Sequence, residues 1–130
     1  MTCSPSQRWS RVHFTGVGGV GMAGLAHILA DCGVAVTGTD AADSEMLRSL
    51  EFRGLDVRVG HDADVVSGAD AVVYSSAVPV SNPERERARS LGIRECARGE
   101  FLAELARSFP VVIAVSGSHG KTTTSAMLAH

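Results

Sequence analysis

Six short runs rich in β-branched residues recur along this chain: RVHFT, VAVTGT, VRV, AVVYS, IRECA and VVIAVS. Segments with apolar residues at helical spacing separate them. No other feature limits the fold as strongly, because strand and helix alternating over the whole length indicate a parallel sheet with helices on its faces. Met22 to Cys32 reads as a helix with Met22, Leu25, Ala26, Ile28 and Leu29 on one broad face and Gly33 as its stop. Ser44 to Arg53 reads as a second, capped by Asp43 or Ser44 and ended by Gly54. In NPERERARSLG, Asn82 is the cap, Pro83 the first helical residue and Gly92 the stop. Gly99 to Ser108 makes a further helix, which Pro110 breaks.

With 130 residues there is room for one compact body and little more. The first ten residues, which carry no apolar signal-peptide core, read as a loose tail, and no run is long enough to cross a bilayer. A formal charge of -2 and only 5% aromatic residues provide neither the electrostatic footprint nor the stacking platform that nucleic acid would need. Cys3, Cys32 and Cys96 are odd in number and widely spaced, which suggests neither a disulfide framework nor a zinc site. A cytoplasmic protein that binds small molecules, away from membranes, is the expectation. Arg85 and Arg89 share a helix face, but Glu84 and Glu86 alternate with them, so this segment reads as a solvated helix and not as a basic patch.

Two glycine-rich loops carry the chemistry. In HFTGVGGVGMAGLA, Gly16, Gly18 and Gly21 have G-x-G-x-x-G spacing between a strand and a helix, with Gly19 in the same loop. Such a loop turns sharply, lets the backbone approach a pyrophosphate and packs helix on strand, while the helix N-terminus faces the anion. Asp40 ends the next strand, where a ribose hydroxyl finds its acceptor. By pattern alone this says NAD, although any nucleoside diphosphate presents the same groups, and an aspartate there also serves as a turn residue.

The second loop, GSHGKTT, follows VVIAVS directly. Gly117, Ser118, His119, Gly120, Lys121, Thr122 and Thr123 would form a nest of backbone N–H groups around ATP phosphates, with Lys121 on the β and γ phosphates and Thr122 as a Mg2+ ligand. Val115 stands where the longer phosphate-loop pattern wants glycine.

Together, GVGGVGMAGLA, the TGTD ending at Asp40, GHD at 60–62, SSAVPVSNPE from Ser75 to Glu84, and SGSHGKTTT closely resemble the amino-terminal part of the Mur ligases of peptidoglycan synthesis. The resemblance covers residues 11–130. It implies a Rossmann-like domain over 11–108 for the UDP-sugar substrate, and the first strand, phosphate loop and helix of a central ATPase domain over 109–130. It also implies that Gly16, Gly18, Gly19 and Gly21 cradle a UDP pyrophosphate, with Asp40 near the ribose or uracil and His61, Ser75 and Ser76 lining the same crevice. For His61, Ser75 and Ser76 ordinary turn roles remain open.

The reaction it implies is ATP-dependent amide formation: the lactyl carboxylate of UDP-N-acetylmuramate becomes an acyl phosphate, and the amine of L-alanine displaces phosphate. Lys121 and Thr122, with Mg2+, would carry the phosphoryl transfer. A branch that adds a tripeptide to the same UDP-sugar, and a non-catalytic NAD- or nucleotide-binding module, are the alternatives. If the chain stops just inside the second domain, it should not ligate by itself. The apolar strand VVIAVS would then add to the sheet edge, dock loosely or promote self-association.

Overall fold

The computed structural model describes residues 5–109. The strand VVIAVS and the loop Gly117–Thr123, with Lys121 and Thr122, lie outside the described residues. The elements are α1 (Pro5–Arg8), β1 (Arg11–Thr15), α2 (Val20–Asp31), β2 (Ala35–Asp40), α3 (Glu45–Phe52), β3 (Asp56–Val59), a 3-10 turn (Ala63–Val66), β4 (Ala71–Tyr74), α4 (Pro83–Ser90), β5 (Arg94–Ala97) and α5 (Arg98–Ala106). All pairings are parallel, in the order β3-β2-β1-β4-β5. That is the strand order of a doubly wound sheet on both sides of its topological switch, which lies between β1 and β4.

Local signals explain most boundaries. The Ser44 hydroxyl caps α3 by accepting the Leu47 N–H at 3.1 Å, and Asn82 caps α4 by accepting the Glu84 N–H at 2.9 Å. Gly33, Gly54 and Gly92 take positive φ just past their helices, the left-handed stop that glycine allows. Ser44→Ala should lower stability by about 1 kcal/mol, read as a shift of the urea midpoint with an unchanged slope.

Successive strand residues face opposite sides, and the two faces differ in kind. Val12 and Phe14 of β1, Val36 of β2 and Val73 of β4 join the main core with Leu29 of α2, Leu50 of α3 and Phe101 of α5. A smaller cluster, Val66, Val72 and Ala88, lies where the 3-10 turn and α4 cover the sheet. Residues 5–9 depart from the expected loose tail. Pro5–Arg8 is helical, and Trp9 is buried with its ring centroid 5.0 Å from that of Phe101. Burying that indole offsets the entropy of ordering a terminus. Phe109, assigned from sequence to the next domain, also packs against the main core.

Candidate functional site

At the carboxyl ends of the strands, beside the switch point, a cavity of about 630 Å³ opens between the glycine loop and the β4–α4 loop. Gly16, Gly19, Asp40, His61 and Ser75 line it, facing an apolar wall of Ala77, Val78 and Pro79. The parallel topology thus gathers residues from four strand ends, with Gly16 and Ser75 59 positions apart in sequence. Its size is ordinary for a small-molecule site. Gly18, Gly21 and Ser76 are not among its lining residues.

The glycine loop differs from the sequence expectation in where its amides point. Gly16 and Val17 both donate to the Thr39 carbonyl, at 2.9 and 3.0 Å, and Gly19 N–H reaches the Gly16 carbonyl at 3.4 Å. Gly18 N–H donates to Asp40 Oδ2 at 2.9 Å, and a side chain at position 18 would meet that same oxygen at 2.9 Å. Asp40 Oδ1 accepts the Ala42 N–H at 3.1 Å. The carboxylate therefore braces the loop, and Gly18 lacks a side chain so that Asp40 can approach. The first amides of α2 have no acceptor within the helix, which leaves this end the favourable place for a negative group. At position 21 a side chain would meet the Arg98 guanidinium at 3.0 Å, so glycine lets a cation reach the end of α2. Arg98 has no ion-pair partner among the described residues.

Beneath the cavity floor lies a polar network that the sequence reading did not anticipate. Glu84, on the first turn of α4, is fully buried. Its carboxylate accepts from His13 Nε2 at 2.6 Å, Thr15 Oγ1 at 2.8 Å, Thr39 Oγ1 at 2.7 Å and the Asp62 N–H at 2.9 Å, with His61 Nδ1 at 3.2 Å. His13 Nδ1 meets Thr37 Oγ1 at 2.8 Å. Burial opposes ionisation of Glu84, but the hydrogen bonds from His13, Thr39 and the Asp62 N–H outweigh it and hold the carboxyl down to about 2.

A family description reading Mur ligase family, catalytic domain, matches residues 11–110. The chain belongs to the Mur ligase family. The UDP-N-acetylmuramate–L-alanine ligase of Persephonella marina is 51% identical over 117 residues, covering 90% of this chain and 25% of that relative. The solved UDP-N-acetylmuramate-alanine ligase of Thermotoga maritima superposes with a TM-score of 0.83 at 35% identity, over 92% of this chain and 28% of that one. The UDP-N-acetylmuramate:L-alanyl-gamma-D-glutamyl-meso-diaminopimelate ligase of Neisseria meningitides gives 0.79 at 35%, over 92% and 38%. The chain spans about a quarter of the length of the curated relatives it matches.

In this Mur ligase chain α4 is not the solvated helix that its alternating charges suggest. Arg85 is 8% exposed, and its guanidinium carbon lies 3.6 Å from the Tyr74 ring centroid. It bonds Glu95 at 2.7 Å and the Val78 carbonyl at 3.0 Å. Arg89 shares Glu95 and donates to the Val80 carbonyl at 2.8 Å. Both arginines hold the apolar wall of the cavity in place. Ser75 accepts the Ala77 N–H through its hydroxyl at 3.4 Å, the turn role left open for it.

A signal for the buried network was present in the strands. His13 and Thr15 alternate with Val12 and Phe14, while Thr37 and Thr39 hold the paired positions on β2. Four polar side chains on one face of central strands require a buried partner.

Proposed function

We propose that the cavity binds the UDP moiety of UDP-N-acetylmuramate, and that the protein serves the ATP-dependent ligation of L-alanine to that sugar in peptidoglycan synthesis. The observation that carries this is the meeting of Gly16, Gly19, Asp40, His61 and Ser75 around one cavity at the switch point, in a chain half identical to an alanine ligase. The pyrophosphate is received at the first turn of α2 beside Arg98. The uridine occupies the space between His61, Asp40 and the wall of Ala77, Val78 and Pro79. Lys121 and Thr122 are assigned to ATP and Mg2+, with Lys121 stabilising the charge of the transferring phosphoryl group and Thr122 holding the metal. Mg2+, held by Thr122, would supply charge neutralisation for the phosphates of ATP.

Calorimetry of the chain with UDP-N-acetylmuramate, UDP and NAD tests the reading. Both uridine compounds should bind, and NAD should give no heat of binding. Binding of NAD without the uridine compounds would overturn it.

A further inference from the structure

The contacts around His61 have a consequence for which atoms a ligand meets. We propose that Glu84 is a positioning residue that locks His61 in its Nδ1–H tautomer, so that the cavity offers the ligand a hydrogen-bond acceptor, His61 Nε2. The ligand side of this proposal rests on the uridine nucleotide reading.

The number of protons available fixes the tautomer. The Thr39 hydroxyl carries one proton, and it lies 2.7 and 2.8 Å from the two Glu84 oxygens but 3.0 Å from His61 Nδ1. When that proton goes to Glu84, a Thr39 lone pair faces His61 Nδ1, and only a proton on Nδ1 makes the contact a hydrogen bond. When it goes to Nδ1 instead, a bare Nδ1 lone pair confronts the carboxylate at 3.2 Å with nothing between them. One arrangement satisfies Thr39, Glu84 and His61 together. It has the proton on Nδ1.

The other edge of the ring belongs to the cavity. The His61 side chain is 20% exposed, it is one of the lining residues, and Nε2 has no protein partner among the described residues. A neutral imidazole with Nδ1 protonated presents a lone pair at Nε2. A ligand group seated there must donate. Uridine has such donors in the imide N–H of the base and in the ribose hydroxyls. A carbonyl edge or a phosphate oxygen in the same place would set two acceptors against each other, which is a means of discrimination.

Long-range proton–nitrogen NMR on the full chain at about pH 8, where an ordinary imidazole is neutral, reads the tautomer directly. His61 should show a protonated Nδ1. In Glu84→Gln an amide N–H₂ can face Nδ1, and the ring should move toward the Nε2–H form, with UDP binding weakened at least tenfold. Titration of the unaltered chain with UDP, N3-methyl-UDP, 2′-deoxy-UDP and 3′-deoxy-UDP should show at least a tenfold loss for the analogue that lacks the donor facing Nε2. This series decides the matter even if the variant does not fold. An Nε2–H ring in the unaltered chain overturns the lock, whether or not UDP binds. UDP binding that is equal for all four nucleotides overturns the acceptor role. Absence of UDP binding with Nδ1 protonated overturns the uridine reading and leaves the lock standing.

Discussion

Glu84→Ala should lower the unfolding free energy by on the order of 4 kcal/mol, a large fraction of the about 5–15 kcal/mol that holds a domain folded. The reason lies in what is left behind. Without the carboxylate, His13 Nε2, the Thr15 and Thr39 hydroxyls and the Asp62 N–H lose their acceptor inside a closed space, and each buried orphan costs about 1–3 kcal/mol before relaxation. Urea unfolding followed by circular dichroism measures the loss. A change under about 1 kcal/mol would mean that water replaces the carboxylate with little effect.

The same group gives the fold an acid limit. A carboxyl held at about 2 against an ordinary 4.5 has its folded value depressed, so its contribution is fully present above the ordinary value and disappears as pH falls toward 2. The difference amounts to on the order of 3 kcal/mol. Stability of the unaltered chain should therefore decline between about pH 5 and pH 2. In Glu84→Gln, which has no proton to gain, that part of the decline should be missing.

Gly16→Ala should be the most damaging of the glycine-loop substitutions, costing about 2–4 kcal/mol and more than tenfold in UDP affinity. Gly16 has φ +86°, and a Cβ there would lie 3.0 Å from the Ser75 Cβ and 3.2 Å from Val78 Cγ2. Backbone strain and a clash act together, and the clash pushes on the wall that closes the cavity. Gly19→Ala is the control. Its Cβ would find only ordinary contacts, 3.7 Å from the Gly16 carbonyl and 3.9 Å from Met22 Cγ, and the expected loss is under about 1 kcal/mol. Equal effects of the two substitutions, by unfolding and by calorimetry, would remove the argument from Gly16 geometry.

Much of the architecture could be read from the residues because its causes are local. The strands at 11–15 and 71–74, the Ser44 and Asn82 caps and the glycine stops at 33, 54 and 92 depend on neighbours within a few positions. Period and capping chemistry operate at that range. The parallel sheet with helices on its faces followed from their alternation, and the glycine loop and Asp40 followed from their position after strands.

What tertiary structure alone decided was which polar groups are satisfied by one another. Glu84 meets His13 from 71 residues away and Thr39 from 45, so its burial cannot be seen in PERERARS, where alternating charges look like a wet surface. Trp9 is buried in a core that includes Phe101, far along the chain, with the two ring centroids 5.0 Å apart. The amides of Gly16, Val17 and Gly18 turn inward because Thr39 and Asp40 sit on the neighbouring strand end. Helix caps and side-chain periods are set by a few adjacent residues, whereas desolvating a charge requires donors that only the closed sheet brings within 3 Å.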